Sequence, residues 1–171
     1  MALPPNHTIT TQNNQLINYF ELLVLWTNDI LKVNGIQLNF KGYKETIDEY
    51  RKLNETNYEK AWQLARDLNA WSEYFSDTAN LIQKLYLDAD TDRIERTAAI
   101  SSQCDEKVVA NGYRLANQNQ EVVAIRRRKN TLQAFYEELK AKVKFLERAH
   151  FHCKSTAAAK NRFSNIHMPQ R

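Results

Sequence analysis

Residues 132–153 read LQAFYEELKAKVKFLERAHFHC. Within them Leu132, Phe135, Leu139, Val143, Leu146, His150 and Cys153 recur in steps of 3, 4, 4, 3, 4 and 3. That rhythm holds one stripe of side chains on a single face of an α-helix and approximates the a/d seam of a coiled coil. Working outward, all three prolines sit at the extremities (Pro4, Pro5 and Pro169), so nothing between residues 6 and 168 forbids continuous helix. Ser101 to Asp105 reads as a turn whose Asp105 caps a last helix reaching Ala159. A helix of about 50 residues spans on the order of 75 Å at 1.5 Å per residue.

Upstream, Tyr58, Trp62, Ala65, Leu68, Trp71, Phe75, Ala79, Ile82 and Leu85 follow each other in steps of three and four. They predict a helical stretch that begins near Lys44, pauses at Asn54 and extends to about residue 100. A first helix over 12–33 is predicted by Leu16, Phe20, Leu23, Ile30 and Leu31, capped by Thr10 or Thr11 and stopped by Asn34-Gly35. Residues 36–40 alternate like a strand, but a lone strand leaves its backbone unsatisfied. An extended loop, or a strand paired with another subunit, are the options, and the loop is favoured.

The expected fold is therefore all-α: a long, coiled-coil-like antiparallel helical hairpin plus an N-terminal helix. It forms one domain over 1–171 with mobile ends at 1–11 and 161–171. The closing helix is too long for the rest of the chain to cover, so a homo-oligomer is expected. Its interface would use Leu132, Phe135, Leu139, Val143 and Leu146.

Composition sets further bounds. The chain has 171 residues, 43% hydrophobic and 26% charged, as in a folded soluble domain with a sizeable core. Its most apolar stretch, Leu16 to Val33, is interrupted by Asn18, Glu21, Asn28, Asp29 and Lys32, too polar for a membrane span and without a signal-peptide layout. Two cysteines fit a reducing compartment, so a cytoplasmic protein with no membrane partner is expected. The sequons at Asn6 and Asn54 are read as chance.

Charge is segregated. Residues 1–100 carry 10 Lys and Arg against 14 Asp and Glu, whereas residues 101–171 carry 14 against 6. Arg126, Arg127, Arg128 and Lys129 form the densest basic run. At about 100° per helical residue, Arg126, Lys129, Lys140, Lys144 and Arg148 share one flank away from the seam, interrupted by Glu137. Such a flank would track the phosphates of a nucleic acid, with Tyr136 and Phe151 stacking on bases. The alternative is a solvated face whose cations partner Glu137, Glu138 and Glu147. The surplus of positive charge, which local pairs cannot cancel, favours the polyanion.

Other constellations point to packing rather than chemistry. His150, His152 and Cys153 resemble metal ligands, but a zinc site needs about four, and His7, Cys104 and His167 stand at no recognised spacing. A small buried thiol and a core-edge histidine are expected instead, with no metal and no cofactor. Trp26, Trp62, Trp71, Tyr58, Tyr74 and Phe75 follow the core stripe. The cluster Asp88, Asp90, Asp92 and Glu95 lacks an EF-hand's loop and reads as solvated helix. No phosphate loop, nucleophile elbow or metalloprotease helix occurs, so no catalytic residues are assigned and no enzyme is expected.

Two pieces, Trp71-Ser72-Glu73-Tyr74-Phe75 continuing to Arg93 and Arg96, and Leu132 to Lys154, resemble the phage recombination-mediator family of the UvsY type. The resemblance covers roughly residues 70–155. It implies a small helical protein that forms rings, binds single-stranded DNA and helps a RecA-like recombinase displace a single-strand-binding protein. By carry-over, Arg93 and Arg96 match the DNA-contacting segment and Leu132 to Cys153 the oligomerising helix, although Asp88, Asp90 and Asp92 depart from that family's more basic pattern. Two functions follow as expectations: an accessory protein binding single-stranded DNA or RNA, or a helical adaptor, such as a virion component or inhibitor, docking on an acidic protein.

Overall fold

The computed structural model describes the backbone of residues 8–10, 16–103 and 109–166, and side chains within 18–103 and 109–159. The described elements are β1 (Thr8–Thr10), β2 (Leu16–Asn18), α1 (Tyr19–Val33), α2 (Tyr43–Arg51), α3 (Tyr58–Gln103), α4 (Val109–Gln118) and α5 (Gln120–Ile166). The protein is all-α, with one short antiparallel ribbon in which Ile9 stands opposite Ile17.

Local chemistry explains the boundaries. The first helix starts at Tyr19 rather than residue 12, because Asn18 and Glu21 close a capping box. The Asn18 Oδ1 accepts the Glu21 N–H at 2.9 Å, and Glu21 Oε2 accepts the Asn18 N–H at 3.2 Å. Thr10 lies in β1, and Thr11 lies outside the described residues. At the other end Gly35 adopts φ +69°, with its N–H on Lys32 O and the Ile36 N–H on Leu31 O, a Schellman closure. Residues 36–40 are a loop, and Tyr74 Oη accepts the Asn39 N–H at 2.9 Å.

Asn57 caps α3 through the Lys60 N–H. The helix expected from Asp105 to Ala159 is divided. It breaks at Asn119, whose N–H bonds Ala116 O while its Oδ1 accepts the Glu121 N–H, ending α4 and starting α5. Asp105 and Cys104 lie outside the described residues, and α5 runs on to Ile166.

The chain folds as two compact units, each discontinuous in sequence. Unit 1 comprises Met1–Gln37 and Ala79–Glu138, and unit 2 Leu38–Thr78 and Leu139–Arg171. In unit 1, Phe20, Leu23 and Leu31 of α1 are buried, as are Ile82 and Leu85 of α3 and Leu132 and Phe135 of α5. Phe20 and Phe135 stack at 6.1 Å between ring centroids. In unit 2, Leu64, Leu68 and Phe75 of α3 are buried, as are Ile47 of α2 and Leu139, Leu146 and Cys153 of α5.

The aromatic stripe is only partly core. Phe75 is fully buried, Trp71, Tyr58 and Tyr74 are half-buried, and Trp26 and Trp62 are 54% and 53% exposed. Ala61 and Leu64 take the inward positions beside Trp62, which leaves the indole on the outer face of the helix. No helix among the described residues is long and apolar enough to cross a membrane.

Candidate nucleic-acid interface

Several cations of unit 1 are engaged. The carboxylate of Asp90 accepts Arg93 Nε at 2.9 Å and lies 3.7 Å from Lys129 Nζ. The Arg93 hydrogen bond holds the Asp90 carboxyl below its ordinary value, helped by the charges of Arg93 and Lys129 and opposed by partial burial. Arg96 pairs with Glu121, and Arg126 donates to the Asn117 carbonyl and side chain at 3.2 and 2.8 Å. Arg128 has a buried Nε without a partner among the described residues, while Arg127 is exposed. Asp88, expected to be merely solvated, pairs with Lys84 at 2.7 Å.

In unit 2, Lys140, Lys144 and Arg148 stand exposed on α5 at one-turn intervals. Arg148 Nε donates to the Lys144 carbonyl at 3.1 Å, and neither Lys144 nor Arg148 forms an ion pair among the described residues. Counting by unit sharpens the contrast. Unit 1 carries 10 Lys and Arg against 11 Asp and Glu, whereas unit 2 carries 14 against 9. The net charge of +4 thus resides entirely in unit 2.

Beside this flank an open cleft of about 330 Å³ separates α3 from α5 within unit 2. Asn69, Ser72 and Glu73 line it from one helix, Glu147, His150 and Phe151 from the other. His150 Nδ1 lies 2.7 Å from the Ala65 carbonyl, and the Phe151 ring, 62% exposed, meets the His150 ring edge-on at 5.3 Å. The cleft went unread in the sequence, although Asn69, Ser72, Glu73 and Ser76 form a polar i, i+3, i+4, i+7 stripe within an otherwise amphipathic helix.

Comparison of the chain with protein-family models, with curated proteins and with solved structures finds no match.

The seam residues are covered within one chain. Leu132, Phe135, Leu139 and Leu146 have no exposed surface, and Val143 is half-buried, so a second copy has almost nothing to cover on them. Cys153 is buried, and burial pushes its thiol up from the ordinary value. Tyr50 is raised for the same reason, with the nearby Cys153 charge adding to it; its ring meets Phe145 and His152 at 6.2 and 5.9 Å. No group of three or more potential metal ligands comes together among the described residues; His7, Cys104 and His167 lie outside them.

Proposed function

We propose that the protein binds single-stranded nucleic acid along the cationic flank of α5 in unit 2. The observation that carries this is the placement of Lys140, Lys144 and Arg148: exposed, one turn apart, in the unit that holds the whole positive surplus. Four helical residues advance about 6 Å, so successive cations can meet successive phosphates of an extended strand. Phe151 supplies an exposed ring beside them for base stacking.

Recombination mediation is the specific form of this function, supported by the likeness of residues 70–155 to UvsY-type mediators. Arg93 and Arg96 contribute less than that likeness implies, since Asp90 and Glu121 engage both guanidiniums. Assembly into a homo-oligomer would have to use other apolar side chains, such as Leu87 and Ile94 of α3, which are about half exposed.

The test is a fluorescence-anisotropy titration of a thymine 20-mer at about 50 and 200 mM salt. Three phosphate contacts give a slope of log K against log salt near −2, at about −0.7 per contact. Reversing Lys144 and Arg148 to glutamate should weaken binding at least tenfold, and reversing Arg127 much less. Absence of wild-type affinity at the lower salt would refute single-strand binding and leave docking on an acidic protein in its place.

A further inference from the structure

We infer that the cleft between α3 and α5 in unit 2 is a nucleobase site that takes guanine from the bound strand; this rests on the single-strand reading above. The walls present acceptors. His150 Nδ1 faces a carbonyl oxygen, which can only accept, so that nitrogen carries a proton and, in the neutral ring, Nε2 is an acceptor. The Glu73 carboxylate takes the Asn69 amide at 2.8 Å through one oxygen. Glu147 has no hydrogen bond or ion pair among the described residues.

Ser72 adds an independent observation. It is 8% exposed, lines the cleft, and its hydroxyl finds no partner among the described residues. Arg128 Nε is the one buried side-chain polar atom without a partner among the described residues, so the Ser72 hydroxyl reaches solvent in the cleft and can bond an occupant.

The occupant must therefore bring N–H donors and, to use the Phe151 ring, a flat face. It must also tolerate Lys144 and Arg148. On a helix surface Lys144 neighbours Glu147, Arg148 and Phe151 at i+3, i+4 and i+7, so the cleft opens directly onto the cationic flank. A free ammonium or guanidinium is repelled there, whereas a base tethered to phosphates is drawn in. Among bases, guanine presents adjacent N1–H and N2–H donors that match the two oxygens of one carboxylate. Thymine has a single N–H between two carbonyls, and cytosine and adenine each pair an amino group with a ring acceptor. Glu147 is the carboxylate left to receive the guanine edge.

Three fluorescent 15-mers test this with the whole chain: all thymine, thymine with three spaced guanines, and the same with inosine, which lacks the N2 amino group. Wild type should bind the guanine strand about fivefold to tenfold more tightly than the thymine strand, with inosine between them. In E147Q, with helicity checked by circular dichroism, the guanine-to-thymine ratio should fall to about one, because the amide replaces one acceptor with a donor. Equal, salt-dependent affinity of wild type for all three strands would overturn the base site and leave single-strand binding standing, as would a preference that survives in E147Q. Binding to none of the strands would overturn both. Loss of the guanine preference to millimolar acetyl-lysine amide would assign the cleft to a cationic side chain instead and refute the base site.

Discussion

Truncating Leu139 to alanine separates a seam used within the chain from one shared between copies. Leu139 has no accessible surface in unit 2, where Leu146 and Cys153 of the same helix and Leu64, Leu68 and Phe75 of α3 are likewise buried. The substitution removes three carbons from a closed environment, for which the loss is about 3 kcal/mol or somewhat more. In a chain of this size each kcal/mol lowers Tm by about 2–4 °C, so a fall of roughly 6–12 °C is expected. Val143 is half-buried, so Val143→Ala should cost less than half as much. The assay is thermal unfolding by circular dichroism at two protein concentrations about twentyfold apart. A single-chain core gives the same Tm drop at both. A loss below about 1 kcal/mol, or a wild-type Tm that climbs with concentration and ceases to do so in L139A, would refute the single-chain account and return Leu139 to a subunit interface.

Cys153 and Tyr50 titrate above their ordinary values of 9.0 and 10.0, so the stability tied to their neutral forms is complete below about pH 9 and is lost as pH rises through the folded values. Urea midpoints should therefore fall between about pH 8 and 10.5, and less steeply in Cys153→Ala measured against its own neutral-pH midpoint. Asp90 titrates below its ordinary 3.8, so its contribution is present above that value and disappears as pH falls through the lower folded one. Asp90→Asn should cost at most about 1 kcal/mol at neutral pH, the pair being partly exposed, and nothing in strong acid; urea unfolding at both pH values checks this. Asn18→Ala removes the capping box of α1 and should cost about 1 kcal/mol in the same assay.

The long helices were legible because an apolar period sustained over many turns outweighs every local signal, and the absence of internal proline leaves nothing to interrupt it. Shorter features were not. Strands of three residues, as in β1 and β2, are too brief for alternation to register, and their pairing draws a boundary that periodicity alone sets too early. The capping box Asn18-x-x-Glu21 was present as a signal, yet Leu16 ahead of it fits the helical period and masks it. At Asn119 the reverse holds: no glycine or proline marks the break, and the Asn119 N–H on Ala116 O together with its Oδ1 on the Glu121 N–H ends one helix and begins the next.

The candidate site shows why charge counted along a chain differs from charge presented by a fold. Cutting the sequence at residue 100 places Arg126 to Lys129 in the basic half, but α3 and α5 run antiparallel within unit 1, with Arg96 paired to Glu121 and Asp90 beside Lys129. These partners are 25 and 39 residues apart, and no pattern in either segment alone reveals the register that joins them. Of that run, Lys129 alone among the described residues lies against an acid of the other half, Asp90, while Arg126 bonds Asn117; unit 1 as a whole is nearly neutral, with 10 Lys and Arg against 11 Asp and Glu. Residues 139–171 contain a single acidic residue, Glu147, against eight Lys and Arg, a surplus that the acidic residues of 38–78 offset only in part. Lys140, Lys144 and Arg148 stand exposed in that segment beside its one carboxylate, Glu147, and the proposed single-strand binding rests on this arrangement.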